Sequence, residues 1–254
     1  MHKEIKEFKK NCKTNIDSQS NDKEFKEITK SWFEKSSKYF YSYNFEVAGR
    51  PIIQYPQDIV ALQEVIYKIK PDIIIETGIA HGGSIVLSAS CLSLLDVMDN
   101  IDPRDSLRKV IGVDIDIRRH NLEALNSHPL SFKWNLFEGS SIDKNIVKKI
   151  KEEIKPKDKI LVLLDSNHTH EHVFKELNYY ADLVSIDSYC IVYDTCIEFM
   201  PPNSFPNRDW DIGNNAYTAV REWLKKRNDF VIDKEIEDKL LITVAPSGFL
   251  KRVK

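Results

Sequence analysis

Five short apolar runs, separated by segments of helical pattern, restrict what this chain can fold into more than any other feature. They are "DIIIET" (72–77), "KVIGVDI" (109–115), "LSFKWNLFEG" (130–139), "KILVLLD" (159–165) and "SYCIVYD" (188–194). Helical patterns occupy 84–98, 118–126, 143–155, 169–182 and 214–227. A strand that is apolar throughout, rather than at alternate positions, is buried on both faces. Such strands alternating with helices form a parallel sheet covered on both sides. The C-terminal segments "DFVID" and "KLLITVAPSGFLKRV" read as two further strands joined by a charged turn, with an antiparallel closing strand. The expected fold is therefore α/β, a Rossmann-like doubly wound sheet of seven strands.

Upstream, Ile59, Leu62, Val65, Ile66 and Ile69 form one apolar stripe, the mark of an amphipathic helix closed by Pro71. Residues 1–50 are charged with aromatics interleaved, and Phe25, Ile28, Trp32 and Phe33 fall near helical spacing. This predicts an N-terminal helical extension docked on the body or on a partner subunit, with the main domain spanning 51–254 and a homo-oligomer as the expected state. Lys plus Arg number 37 against 39 Asp plus Glu, so no nucleic-acid surface is implied. No run is long enough to cross a bilayer and no secretory core stands at the N-terminus, so a cytoplasmic protein is expected. Cys12, Cys91, Cys190 and Cys196 lack zinc spacing and read as reduced thiols.

In doubly wound sheets ligands bind at the carboxyl ends of the strands. A carboxylate closes four of the five runs, at Glu76, Asp114, Asp165 and Asp194, and the remaining run ends in "EGSS". The first strand–helix turn, "ETGIAHGGS", carries Glu76, Gly78, Gly82 and Gly83 at a spacing unlike a GxGxxG dinucleotide fingerprint. An acidic residue there repels a pyrophosphate but can hold an ammonium through a charge-assisted hydrogen bond. S-adenosylmethionine offers an ammonium and no phosphate, so the loop favours it over NAD. Glu76, Gly78, His81, Gly82 and Ser84 are the candidate residues around it. Asp114 is the candidate for the ribose hydroxyls, and Ser140 and Ser141 for the surroundings of the adenine. "DSNHTHEH" supplies His168, His170 and His172, but no distant Cys/His cluster completes a zinc site. His170 and His172 fit the first turn of a helix.

The segments "ETGIAHGGS", "IGVDIDIRRHN", "EGSS", "LLDSNHTHEHVFKEL", "SYCIVYDT", "GNNAYTAVREWL" and "KLLITVAPSGFLKR" resemble, in colinear order, the cephalosporin hydroxylase family. Members have the fold of class I S-adenosylmethionine-dependent methyltransferases and occur in antibiotic and polysaccharide biosynthesis. The resemblance covers roughly four-fifths of the chain and leaves the first 40 residues outside. It implies an S-adenosylmethionine-dependent O-methyltransferase acting on a sugar hydroxyl, first of all a nucleotide-linked heptose or deoxyhexose of a capsular polysaccharide. An antibiotic-type small molecule is the second acceptor class. The resemblance further implies Asp165 and His168 as catalytic residues, His168 being the general base. Imidazole suits that role because its pKa of ~6.5 leaves it largely neutral near pH 7. Mg²⁺ is implied at Asp165 and Asp194, except that Tyr193 stands where the family carries a Glu. That substitution leaves the metal open. His81 competes as base. The polar loop 198–217, with Arg208 and Trp210, reads as a substrate lid. An NAD(P)-dependent oxidoreductase and a non-catalytic binding module are the competing classes.

Overall fold

The computed structural model describes residues 2–254. Two helices, α1 (Lys3–Asn21) and α2 (Lys23–Ser37), precede a hairpin of β1 (Phe45–Val47) and β2 (Arg50–Ile52). The alternation then follows as α3 (Pro56–Ile69), β3 (Ile73–Thr77), α4 (Gly83–Met98), β4 (Lys109–Asp114), α5 (Arg119–Asn126) and β5 (Trp134–Glu138). It continues with α6 (Lys144–Glu152), β6 (Ile160–Leu164), α7 (His170–Tyr180), β7 (Tyr189–Val192) and α8 (Ala216–Leu224). The chain closes with β8 (Phe230–Ile232), α9 (Lys234–Leu240) and β9 (Phe249–Arg252).

The sheet has seven strands in the order β5-β4-β3-β6-β7-β9-β8. Pairing is parallel from β5 to β7, and β9 runs antiparallel to both β7 and β8. Chain order reverses between β3 and β6, and a crevice opens at such a reversal beyond the strands' carboxyl ends. Both faces are apolar because successive side chains alternate sides. Ile73, Ile75, Val162, Leu164 and Val192 pack toward α6, α7 and α8. Ile74, Leu161, Leu163, Ile191 and Tyr193 pack toward α3 and α4. The inner strands β3, β4, β6 and β7 are thus buried on both faces, which is why their sequences show no polar alternation, whereas the edge strands β5 and β8 are partly exposed.

Two expectations change. The charged turn between the last two strands is the helix α9, capped where Asp233 accepts from the Glu235 amide at 3.2 Å. Only Ile236 and Leu240 pack, partly buried, on the core, too short a stripe to announce a helix. This helix takes Lys239 and Leu240 from the expected last strand, which is confined to Phe249–Arg252. In the N-terminal extension only half of the expected stripe docks. Phe33 stacks on Tyr55 at 5.1 Å and Trp32 meets Tyr41 edge-on at 5.2 Å, whereas Phe25 and Ile28 stay exposed. The amide of Gln19 donates to the carbonyls of Asp238 and Lys239 (2.8 and 3.0 Å), tying α1 to the open end of α9. The division expected at residue 50 falls inside the β1–β2 hairpin. Among the described residues no helix is long and apolar enough to cross a membrane.

Candidate active site

The turn after β3 is shaped by close backbone packing. Gly78 sits at φ +90, and a Cβ there would lie 2.0 Å from the Asp165 carbonyl oxygen. Only glycine lets the loops after β3 and β6 touch in this way. Gly82, at φ +85, similarly meets the Leu125 side chain and opens α4. Glu76 points from β3 into the α3–α4 layer and is almost fully buried; one carboxylate oxygen accepts from the Ser84 hydroxyl. Its other oxygen has no partner among the described residues. Burial raises its pKa to about 8, the Ser84 bond opposing the rise. Asp114, at the end of β4, accepts the Ile79 and Ala80 amides on one oxygen (2.8 and 3.1 Å) and the Asp116 amide on the other (3.2 Å). These are the loop amides that a pyrophosphate would need, and a carboxylate already holds them. His81 meets Arg50 through its carbonyl, which accepts from the guanidinium Nε at 2.8 Å.

Asp165, His168 and Asp194 converge at the crevice between β3, β6 and β7. One ligand-type atom of each lies within 4.8 Å of the others. Parallel pairing sets this arrangement, because Thr77 is level with Leu164 and Leu164 with Val192. The Asp165 amide extends the ladder to the Thr77 carbonyl (2.9 Å), and the Tyr193 amide does the same to Leu164 (3.0 Å). Asp194 then turns into the left-handed region at φ +56, a conformation uncommon outside glycine. Its carboxylate lies 2.9 Å from His168 Nε2. Burial lowers the His168 pKa, but the Asp194 charge and hydrogen bond outweigh it, so the net direction is upward. Asp165 is raised well above the usual carboxylate range, first by burial and then by the Asp194 charge. Tyr193 is one residue out of phase with this group. It follows Ile191 into the α3–α4 layer and is buried there. Burial drives its phenol well above the ordinary value, so residue 193 supplies no anionic ligand.

The remaining histidines separate. His170 bonds Thr218 through Nδ1 (2.8 Å) and approaches Glu222 through Nε2 (3.3 Å), clasping α7 to α8. His172 joins Ser141 (3.0 Å) to Ser166 (3.1 Å), so both serve packing between elements. Ser141 is buried against that histidine, and the Ser140 carbonyl takes the Asp143 amide at 2.9 Å. Trp210 of the 198–217 loop meets His168 edge-on at 4.7 Å, with the Arg208 guanidinium 5.0 Å from the indole centre. Glu198 closes this loop at its base, where one of its oxygens accepts from the Gly213 amide (2.9 Å) and the Asn215 side chain (2.6 Å).

The sequence reasoning passed over Gln54 and Asp58. Gln54, between β2 and α3, is buried and donates its amide to Asp165 at 3.1 Å. Asp58 holds the Thr243 hydroxyl and the Val244 amide, and burial raises its pKa to about 7. The signal was faint, a polar "QYPQD" ahead of an apolar stripe.

A family model described as Rhamnosyl O-methyltransferase/CmcI matches residues 39–253. A rhamnosyl O-methyltransferase of Mycobacterium tuberculosis (strain ATCC 25618 / H37Rv) is 29% identical over 194 residues, 75% of this chain and 71% of its own length. That of Mycobacterium bovis (strain ATCC BAA-935 / AF2122/97) gives the same figures, 29% over 194 residues. Among solved structures, a CmcI-N160 apo-structure superposes with a TM-score of 0.55 at 19% identity, covering 84% of this chain and 77% of its own. CmcI-D160 with Mg and SAM gives 0.55 at 17%, covering 84% and 78%. At these identities the two structures bear on the fold.

Proposed function

This chain belongs to the rhamnosyl O-methyltransferase/CmcI family and is an S-adenosylmethionine-dependent O-methyltransferase, and we propose that it methylates a sugar hydroxyl with His168 as the general base. The observation that carries the reading is the contact of His168 with Asp194 beside Asp165, at the mouth of the β3–β6 crevice. The proposed acceptor is a nucleotide-linked heptose or deoxyhexose of a capsular polysaccharide, handled in the cytoplasm. Curated relatives are named rhamnosyl O-methyltransferases, and rhamnose is a deoxyhexose.

The residues suit the cofactor. The unpartnered buried oxygen of Glu76 on β3, with loop amides already held by Asp114, favours a cationic head over a phosphate. S-adenosylmethionine, when bound, supplies a methyl group activated by a sulfonium. The protein must then deprotonate a weakly acidic hydroxyl as its oxygen attacks. Asp194 holds His168 Nε2–H, which leaves Nδ1 to accept that proton. The same carboxylate stabilises the imidazolium that forms. Trp210 lies against the imidazole and shields it from water, and its indole offers a face to a sugar. Arg208 beside it suits a phosphate of the acceptor. Asp165 and Asp194, two carboxylates whose charges oppose one another, would hold a divalent cation. Such an ion, when bound, would polarise the acceptor hydroxyl.

A methyl-transfer screen across nucleotide-linked sugars and free glycosides, read by mass spectrometry, tests the proposal. A gain of 14 mass units (one CH₂, by arithmetic of the reaction) on a nucleotide-linked sugar, about tenfold above free sugars in kcat/KM, is the expected result. Transfer only to non-sugar hydroxyls would overturn it. Self-association belongs to the same reading: Phe25 and Ile28 stand exposed on α2, and light scattering on the full chain is expected to give more than one protomer.

A further inference from the structure

Beneath the crevice lies a cavity of about 10 Å³, lined among others by Gln54, Asp58, Glu76, Ser84, Asp165 and Tyr193. That is room for one water-sized polar group. Two of these residues carry buried acceptor atoms with no partner among the described residues, Gln54 Oε1 and Glu76 Oε2. Gln54 is 6% exposed and Glu76 1%. Leaving a buried acceptor unsatisfied costs about 1–3 kcal/mol, so two such atoms on one cavity describe a built receptor for a donor. Three carboxyl groups and no Lys or Arg line the space, which makes the missing donor a cation. A primary ammonium has the right size, charge and number of N–H bonds.

We propose that Gln54 is a cofactor-positioning residue whose side-chain carbonyl, together with Glu76, seats the α-ammonium of S-adenosylmethionine. The inference rests on the family's use of that cofactor. Gln54 cannot offer the opposite end of its amide without loss, because its NH₂ already donates to Asp165 at 3.1 Å. Its carbonyl is therefore turned away from Asp165. The same side chain links the cofactor's amino end to the carboxylate beside the base. Cofactor arrival thus holds Asp165 in place before the acceptor enters.

The test is calorimetry on the full chain with S-adenosylhomocysteine and with its analogue lacking the α-amino group. Hydrogen bonds to charged groups are worth about 1.5–3 kcal/mol, which corresponds to roughly 10–100-fold in affinity. Gln54→Met is expected to lose at least tenfold for S-adenosylhomocysteine and to bind the deaminated analogue as the wild type does. Gln54→Glu, which when protonated presents a carbonyl and a donor in the same places, is expected to keep the wild-type ratio between the ligands. Equal losses for both ligands in Gln54→Met would overturn the assignment, as would no loss for either, which is the result expected if the cavity holds only a water. If Gln54→Met does not fold, the wild type decides: equal affinity for both ligands refutes an ammonium seat. Failure of the wild type to bind S-adenosylhomocysteine at all would instead remove the cofactor reading itself.

Discussion

Glu76→Gln separates what the site requires from what the fold prefers. Burial holds the Glu76 carboxyl at about 8, whereas an exposed glutamate titrates near 4.5. A group whose folded pKa is raised in this way leaves the protein's stability intact below 4.5, and stability is lost as pH rises toward 8. At 1.36 kcal/mol per pH unit, the difference between 4.5 and about 8 corresponds to about 5 kcal/mol above pH 8 and about 3 kcal/mol at pH 7. Glutamine keeps the shape and a carbonyl for Ser84 but carries no titrating charge. The ligand-free Glu76→Gln protein is therefore expected to melt at least ~5 °C higher at pH 8. By the same linkage the gain shrinks to roughly 1 kcal/mol at pH 5.5. Asp58 titrates in the same range in both proteins and cancels in their difference, which reports Glu76 together with its repulsion of Asp165. Affinity for S-adenosylhomocysteine is expected to fall about 10–100-fold, since a charge-assisted bond becomes a neutral one. Scanning calorimetry from pH 5.5 to 8.5, with and without S-adenosylhomocysteine, measures both effects. A melting difference that stays constant across this range, or a variant less stable at pH 8, would falsify the reasoning.

Three further outcomes are expected. His168→Ala should reduce turnover by at least ~100-fold while S-adenosylhomocysteine affinity, measured by calorimetry, stays within about threefold. In the wild type, the acidic limb of kcat/KM should lie above the ordinary imidazole value, because Asp194 favours the protonated ring; a limb at or below that value contradicts the ion pair. Gly78→Ala should lower stability by about 3 kcal/mol or more in denaturant titration, because its Cβ would lie 2.0 Å from the Asp165 carbonyl at φ +90. Exhaustive treatment with EDTA should slow turnover and Mg²⁺ restore it, since the Asp165–Asp194 repulsion is then relieved. Turnover indifferent to chelation would mean that Asp194 serves His168 alone.

Much of this architecture was legible because strand burial and site chemistry follow the same rule. Residues within a strand had to be apolar on both faces, and the first residue released from the sheet could be polar. Asp165 and Asp194, just past the ends of β6 and β7, stand out by that contrast, whereas Glu76 is an exception to it, a carboxylate inside β3 paired with Gly112 and Leu163. Phase within a strand was not legible in a run apolar throughout: "SYCIVYD" does not reveal that Tyr193 turns to the α3 side while Asp194 turns to His168. Nor could spacing reveal that Asp114 caps the neighbouring loop, since its partners belong to the turn after another strand. Gln54 escaped for a similar reason. Its partner Asp165 lies 111 positions away, and an amide in a loop carries no periodic signal. The helix α9 escaped because only Ile236 and Leu240 pack on the core, a single helical interval with no repeat.

The way Glu198 fastens both ends of the Trp210 loop has a consequence for how such an enzyme could change its acceptor. The loop departs from and returns to nearly the same point, so its interior can lengthen, shorten or be exchanged with little entropy cost to the sheet. Asp165, His168 and the residues around Glu76 lie outside that clasp. If the loop selects the acceptor, as proposed, exchange of its exposed interior would be the economical route to a new preference, provided that Met200, Phe199 against Tyr217, and the Asp211 carbonyl that accepts from Asn215 are kept.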